Sequence, residues 1–496
     1  MPVWFSSRRS LNMLKGSKNL LIAAIVLLSN ISLALASSHK PNEILVKYKE
    51  GIRRNKSFME SLYSSVHVEK VKRFRGGSSQ LEHLFTKAGT DIKSAIAELQ
   101  KNPAVEYAQP NYLLYAFPIE VATKSPASPS APSSAPGDEL PEIPGLPCIP
   151  GFELPGCIPL PCFLFPDFPG CGDIGKPKER PPVAEKPAEV NPPVEDPQIA
   201  QTYGLEKISA KTAWKVTKGS QDIVVAVIDT GVDYNHEDLS YNLWRNPKPE
   251  KQDIVGWDFV HNDHLPYDDN MHGTHVSGTI GAVGENGKGV SGVNQRVSIM
   301  ALKFLGAQGQ GDTASAVKAI DYAIEHGAKV LNNSWGAKAA PNDPDNAVLQ
   351  DAVKRVEKAG ALFIAAAGND SSDNDSTPTV PANYDEPNLI SVAATDEKDA
   401  LAFFSNYGLK KVHLGAPGAN ILSSVPDNKY KSASGTSMAT PHVAGAAALV
   451  WASQPSLTYA EVKARLLESV DKLPSLEGKT ITGGRLNLAR AVKAEN

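Results

Sequence analysis

The sequence predicts an α/β protein whose largest part, residues 198–496, forms a doubly wound and mostly parallel sheet with helices on both faces. Along this part, apolar strand-like runs alternate with segments of helical periodicity, a pattern typical of parallel sheets with helical crossovers. A chain of 496 residues also allows two or three domains and at least one large core.

The predicted elements of residues 198–496 rest on their apolar patterns. In chain order they are the strand Ile223–Ile228, a helix marked by Ala314, Val317, Ile320 and Ile324, a strand around Val330-Leu331, the helix Ala347–Lys358 and the strand Ala361–Ala367. In such sheets, ligands bind at the carboxyl ends of the strands.

The first 36 residues have the order of a secretory signal peptide. Basic residues precede the apolar run Leu20–Leu28, and Ala34-Leu35-Ala36 supplies the small residues of a cleavage site. A membrane anchor is the alternative, but this apolar run is shorter than the roughly 20 residues that a span needs. We expect residues 1–36 to be removed on export, which leaves the protein secreted or periplasmic.

Residues 37–116 are predicted to form a small domain of strands and helices. Glu43–Tyr48 alternates like a strand, Thr90–Leu99 has helical apolar spacing, and Tyr112–Tyr115 is a last apolar strand.

Residues 117–197 differ sharply, because they hold 21 of the 38 prolines and all 4 cysteines. In an exported protein these cysteines suggest two disulfides, and a repeat with a 14-residue offset favours the pairs Cys148–Cys157 and Cys162–Cys171 among three connectivities. A zinc site is disfavoured because C-x2-C pairs are absent. A stiff linker is the main interpretation, and a binding module is the alternative.

The overall composition is that of a soluble protein, with 21% charged residues and a formal net charge of −4. This balance gives no basic excess that would indicate nucleic acid as a partner, and no acidic tail.

Three short motifs contain residue types suited to amide hydrolysis, which needs a nucleophile, a base and a group that orients the base. Asp229 follows a buried strand, His272 and His275 share the motif His272–Gly278, and Ser437 precedes the apolar helix Val443–Trp451. Taken singly, they are also explained as a cap, a metal pair or an N-cap serine.

Together, and in the order Asp…His…Ser, these motifs strongly resemble the subtilisin-like serine protease family. The resemblance implies that Ser437 is the nucleophile, His272 the general base and acid, and Asp229 the residue that orients the imidazole. It leaves His275 a structural role. An α/β-hydrolase esterase would show the order Ser…Asp…His with a G-x-S-x-G motif, which Gly435–Ala439 breaks.

The same resemblance implies an oxyanion-hole residue and a substrate groove. Asn369 would donate to the oxyanion beside the backbone N–H of Ser437. In the implied groove, the edge strand that pairs with substrate consists of Gly309, Gln310 and Gly311. The walls of the first specificity pocket consist of Ser334, Trp335, Gly336, Ala366, Ala367 and Gly368. None is charged, so we expect an uncharged P1 side chain. Asp268 and Asp269 are interpreted mainly as exposed, solvated loop carboxylates, and a preference for basic residues elsewhere in the substrate is the alternative.

One structural calcium ion is also implied, held by the side chains of Asp238 and Asn286 and by main-chain oxygens of Val283, Lys288 and Val290. A second, weaker cation site of the family is doubtful here, because basic residues occupy Lys410–His413.

Residues 39–116 resemble the family's propeptide, an α+β, ferredoxin-like inhibitor domain whose last strand, here near Tyr112–Ala116, blocks the groove. They carry 13 basic and 8 acidic residues, against 28 and 34 in residues 198–496, and opposite net charges favour encounter. We therefore expect a monomeric, self-processed protease zymogen that acts on proteins or peptides. The alternative is a cell-surface binding protein that uses the cysteine segment, with the protease fold as scaffold.

Overall fold

A computed structural model describes residues 39–51, 56–74, 76–121, 180–189, 192–339 and 346–493. The predicted signal peptide and the four cysteines lie outside these residues. Within the described part of the chain, no helix combines the length and apolarity that crossing a bilayer requires.

The N-terminal domain has a βαββαβ arrangement, in agreement with the ferredoxin-like domain that the resemblance implied. Its elements are β1 His39–Tyr48, α1 Lys56–Ser65, β2 Val68–Arg73, β3 Leu81–Thr86, α2 Ile92–Gln100 and β4 Val105–Ala116. The strands are antiparallel in the order β4-β1-β3-β2, which is the ferredoxin-like topology. Asp91 begins α2 by accepting a hydrogen bond from the backbone of Lys93.

The C-terminal domain contains most of the remaining elements. Its strands are β6 Gly219–Asp229, β7 Gly256–Asp258, β8 Arg296–Lys303, β9 Gln310–Asp312, β10 Val330–Asn333, β11 Trp335–Lys338, β12 Leu362–Ala366, β13 Thr379–Val380, β14 Leu389–Thr395, β15 Leu414–Pro417, β16 Ile421–Val425, β17 Lys429–Ser434, β18 Asp471–Lys472 and β19 Gly484–Arg485. Its helices are α3 Tyr203–Lys207, α4 Ala210–Ala213, α5 His272–Gly281, α6 Thr313–Glu325, α7 Ala347–Lys358, α8 Thr436–Ser453, α9 Tyr459–Glu468 and α10 Leu488–Ala491. A two-residue strand, β5 Glu120–Val121, precedes them in the chain.

The central sheet of this domain is parallel from β7 to β15 in the order β15-β14-β12-β10-β6-β8-β7. Alternate residues of β6 face opposite sides: Val225 and Val227 join the core under α5 and α8, whereas Ala226 and Ile228 join the core under α6 and α7. Helices therefore cover both faces, and the predicted α/β fold is confirmed.

The two domains share a sheet and a helical surface. Strand β4 continues from the N-terminal domain to pair with β9 and β11, and β5 pairs with β17. The side chains of Asn111 and Gln109 accept hydrogen bonds from the first turns of α6 and α7, at Ala314 N and Val348 N. These contacts stabilise helix ends whose amides would otherwise lack partners.

The segment before Gln198 also contacts the C-terminal domain. Val194 pairs with Asn286, and Lys186 donates to Gln221 at 2.6 Å. The compact unit that contains both domains accordingly includes the chain from Val183 onwards, which lies within the stretch predicted as linker.

Candidate active site

Asp229 and His272 meet where the end of β6 lies against the start of α5. The His272 Nδ1 atom lies 2.7 Å from Asp229 Oδ1, and both side chains are buried. The close approach depends on Gly273, since a Cβ atom there would lie 2.0 Å from the carbonyl oxygen of Gly231. The structure thus brings together two of the three predicted catalytic residues in a buried hydrogen bond.

The charge on Asp229 sets the basicity of His272. Burial lowers the pKa of His272, but the charge of Asp229 and the hydrogen bond to it outweigh burial, so the pKa lies above its usual 6.5. His275, three residues on, has no such partner. Burial lowers its pKa to about 4, and its Nε2 bonds the carbonyl of Ile421 at 3.0 Å, a contact with the hairpin β16–β17.

Asp268 is buried beneath this pair, which corrects the interpretation of it as an exposed loop carboxylate. It is 2% exposed, and its oxygens accept hydrogen bonds from the hydroxyls of Thr230 and Thr274 at 2.8 and 2.6 Å. It also accepts from the backbone of Met271, a residue held at φ +108 directly before His272. Asp268 therefore fixes a strained turn that aims His272 at Asp229.

Ser437 lies in the first turn of α8 and is fully buried. Pro441 follows four residues later and has no N–H to donate to the Ser437 carbonyl. That carbonyl accepts instead from Ser334 Oγ at 3.0 Å, which ties the helix start to the wall of the groove.

The Ser437 hydroxyl is turned away from His272 in this structure. It donates to the carbonyl of Ser334 at 3.1 Å, while His272 Nε2 has no hydrogen-bond partner among the described residues. The third member of the predicted triad is therefore not hydrogen-bonded to the other two in this structure.

Asn369 follows β12 at the predicted oxyanion position. Its Oδ1 accepts from both the backbone N and the hydroxyl of Thr436, at 2.9 and 2.7 Å. This contact leaves Nδ2 directed into the cleft, where it donates to the carbonyl of Pro118 at 2.7 Å. Thr436 thus fixes which end of the amide faces the reacting groups.

The predicted groove residues lie along two strands that hold β4 between them. Gly311 and Gln310 pair with Leu114 and Tyr115, and Gly336 of β11 pairs with Tyr115. On the opposite wall, Ala366 ends β12, Ala367 O accepts from Asn374 Nδ2, and Gly368 has φ +113, a conformation that favours glycine. Trp335 donates from its indole to the carbonyl of Ile228 at 2.8 Å, which connects the groove to β6.

A carboxylate that sequence reasoning missed, Asp196, lies against the predicted calcium loop. Asp196 and Asp238 are 4% and 0% exposed, and they accept hydrogen bonds from loop amides. Burial raises the pKa of both, that of Asp238 to about 7, so neither charge is compensated in the way Asp229 is.

The donor set of this loop fits a hard cation. The carbonyl oxygens of Val283, Lys288 and Val290 accept no hydrogen bond from the described residues, and Asn286 lies against Asp238 with 2.8 Å between Nδ2 and Oδ1. Two carboxylates, an amide side chain and free carbonyls are the ligands that Ca²⁺ prefers. Within the described part of the chain, no group of three or more His, Cys, Asp or Glu side chains forms a metal site.

Three supporting residues escaped the sequence analysis, and each had a weak signal. Thr436 directly precedes Ser437 in the motif, but a hydroxyl next to a nucleophile has no unique meaning. Thr230 follows Asp229 and donates to Asp268, a contact across 38 residues. Asp196 was placed in the linker, two residues before the predicted domain boundary.

Comparisons with known protein families agree with the class of enzyme that this site indicates. The model of the subtilase family matches residues 220–484, more than half of the chain, and that of the fervidolysin N-terminal prodomain matches residues 33–111. The chain belongs to the subtilase family. It is a subtilisin-like serine endopeptidase with an N-terminal prodomain.

This chain covers different shares of the length of its individual relatives. The thermophilic serine proteinase of Bacillus sp. strain AK1 is 41% identical over 58% of this chain, which covers 66% of that relative. Thermitase of Thermoactinomyces vulgaris is 39% identical over 60% of this chain, with 98% of thermitase covered. Subtilisin-like protease 2 of Plasmodium falciparum is 36% identical, but only 22% of it is covered.

Proposed function

We propose that this chain is a self-processed zymogen whose catalytic triad is Asp229, His272 and Ser437. The buried hydrogen bond of 2.7 Å between Asp229 and His272 carries this proposal, because it gives a histidine both orientation and raised basicity. A rotation of the Ser437 hydroxyl from the Ser334 carbonyl towards the free Nε2 of His272 completes the triad.

The reaction follows from these positions. Ser437 Oγ attacks the substrate carbonyl and gives its proton to His272 Nε2, while Asp229 stabilises the imidazolium. The Asn369 amide donates to the oxygen as it becomes negative. His272 then protonates the leaving amine, and water hydrolyses the acyl-enzyme by the same steps.

The groove supports an extended peptide as substrate. Strands β9 and β11 both pair with β4 in the structure, so they offer backbone partners on two sides of one strand. The pocket beside Gly336 is filled by Phe117, which is 8% exposed. An uncharged P1 side chain is therefore the proposed preference.

The prodomain acts as an intramolecular inhibitor in this proposal. Its strand β4 occupies the groove, and Lys47 and Tyr107 bond to Asp351 of α7 at 2.5 and 2.8 Å. Because the prodomain also supplies acceptors to the first turns of α6 and α7, it favours the folded arrangement of these helices.

One calcium ion is proposed for the loop 283–290. Its ligands would be Asp196 and Asp238, Asn286 after rotation of its amide, and the three unpaired carbonyls of this loop. The ion would supply the positive charge that these buried carboxylates lack, and its role would be structural. Export after residue 36, the monomeric state and the two disulfides remain predictions.

Autoprocessing tests the catalytic proposal. The precursor without residues 1–36 is followed by intact mass and by labelling with a serine-directed fluorophosphonate, beside Ser437→Ala and the control Ser453→Ala, which changes a serine at the far end of the same helix. We expect wild type and Ser453→Ala to process and take up the probe, and Ser437→Ala to do neither. Folded wild type that neither processes nor labels would refute the proposal and favour the binding-protein alternative.

A further inference from the structure

The chain remains in the active-site cleft after β4, the last strand of the N-terminal domain. Residues 113–121, here named the strap, cross the cleft on both sides of Ser437. Before the serine, Leu114 pairs with Gly311, and Ala116 N donates to the Gly309 carbonyl at 2.8 Å. After it, β5 pairs with β17, with Val121 opposite Ala433.

The side chain in the first specificity pocket belongs to Phe117. The residue is buried, and its ring lies against Gly336, where a Cβ atom would come within 2.7 Å of Phe117 Cζ. In a productive complex this pocket takes the side chain of the residue whose carbonyl is attacked. The pocket therefore selects the Phe117 carbonyl.

The carbonyl at the oxyanion donor belongs to the next residue. Asn369 Nδ2 donates to Pro118 O at 2.7 Å, and this donor must reach the carbonyl under attack. The pocket and the oxyanion donor thus select different residues, Phe117 and Pro118. The strap is therefore offset by one residue: the side chain in the pocket belongs to Phe117, and the carbonyl at the oxyanion donor belongs to Pro118.

Pro118 also removes a backbone donor at this point. It has no N–H, and its φ is fixed, so it cannot continue the ladder of an extended substrate. The Ser334 carbonyl at the groove wall accepts the Ser437 hydroxyl instead, and His272 Nε2 stays without a partner in the described part of the chain. The nucleophile is therefore not activated while the strap is in place.

We propose that residues 113–121 form a plug that fills both sides of the cleft in a register that presents no bond for cleavage. The Phe117–Pro118 and Pro118–Ile119 bonds survive in the zymogen, and any processing cut falls outside the strap. This inference rests on the proposed catalytic function and adds the reason why the enzyme does not cut the chain that blocks it.

Inserting one glycine after residue 118 in the Pro118→Ala background is the direct test, because the added length lets the chain shift until the Phe117 carbonyl reaches the oxyanion donor while Phe117 stays in the pocket. Ser437 would then acylate at Phe117, and the amine of residue 118 would leave with the proton from His272. We expect cleavage after Phe117 to become about 100-fold faster than at any strap bond of wild type. Intact mass over time identifies the new end, and adding Ser437→Ala to the insertion variant abolishes it.

Pro118→Ala is the matched control, since it removes the ring but keeps the length and the offset. We expect its strap to stay whole. Cleavage within the wild-type strap, or equal cleavage of Pro118→Ala and the insertion variant, would overturn the inference. If no variant takes up the fluorophosphonate after processing, the proposed catalytic function fails, and the inference about the strap fails with it.

Peptides separate register from folding of the variant. A peptide of residues 111–121 with Pro118→Ala is added to the processed enzyme, and a second peptide also carries one glycine inserted after residue 118. We expect the first to inhibit and remain whole, and the second to be cut after Phe117. Equal cleavage of both peptides would contradict the inference.

Discussion

Two regions of the C-terminal domain bury carboxylates, and they compensate the buried charge in different ways. At the catalytic centre, Asp229 is 0% exposed and bonds to His272. Asp196 and Asp238, which lie against the loop 283–290, are also buried, but among the described residues neither forms an ion pair, and their donors are amides.

This difference separates a self-sufficient site from one that needs an external ion. A buried carboxylate without a positive partner is costly, and burial accordingly raises the pKa of both loop carboxyls. At the catalytic centre the compensating charge appears on His272 during the reaction. At the catalytic centre, the positive charge therefore forms and disappears in each catalytic cycle. At the calcium loop, stability of the fold depends on binding a cation.

Asp229→Asn should have the largest effect, because it removes the partner of His272. We expect kcat to fall about 10⁴-fold. The neutral imidazole is the active base, so activity is lost as the pH falls through the pKa of His272. Without Asp229, burial lowers that pKa and is opposed only by the smaller effect of the Asp268 charge, so the acidic limb of kcat/KM should move to lower pH.

The pH profile of kcat/KM with a peptide substrate measures both effects. Asp385→Asn is the control, because that side chain is 84% exposed and lies far from the reacting residues in sequence. An acidic limb that stays in place in Asp229→Asn would contradict the assigned coupling.

Removal of calcium should have the next largest effect, and it tests the other region. A ligand that binds only the folded state stabilises it by about 3 kcal/mol at roughly 100 times its Kd. We expect a chelator to lower the unfolding temperature of the processed enzyme by about 5–10 °C and added Ca²⁺ to restore it. An unfolding temperature that does not respond to the metal would remove the proposed site.

Asp196→Asn sharpens this test, because Asp196 entered the site through the structure alone. Removing one negative ligand should weaken calcium binding by about 10–100-fold, since affinity follows the charge of the ligand set. Glu195→Gln is the matched control: it makes the same charge change at the exposed neighbouring residue. Calorimetric titration of the two variants compares them, and equal affinities would exclude Asp196 as a ligand.

The sequence predicted the parts of the site that depend on local pattern. Asp229 ends a buried strand, Ser437 begins a helix, and the predicted helix Ala347–Lys358 has the bounds of α7. Each of these follows from apolar periodicity within a short segment. The strand–helix alternation likewise predicted the sheet with helices on both faces.

The missed features depend on contacts between distant segments. The resemblance implied that the strand near Tyr112–Ala116 blocks the groove, but nothing in either local sequence specifies the register in which Ala116 bonds to Gly309 across 193 residues. Asp196 reaches Asn286 across 90 residues. Asp268 was interpreted as a solvated loop residue because a sequence shows a loop but not which of its side chains turns inward.

Asp268→Asn should have the smallest effect of these changes, because this buried carboxylate already accepts hydrogen bonds from several hydroxyls and amides. The asparagine side chain has one oxygen, so it can accept hydrogen bonds only from the donors that face one of the two Asp268 oxygens. Its NH₂ group then faces the donors of the other oxygen. We expect a loss of about 2 kcal/mol in the free energy of unfolding. Since the strained Met271 precedes His272, kcat should also fall about tenfold while KM stays unchanged. Denaturant unfolding and steady-state kinetics, with Asp385→Asn again as control, measure both. A change confined to stability would mean that Asp268 supports the fold but does not position His272.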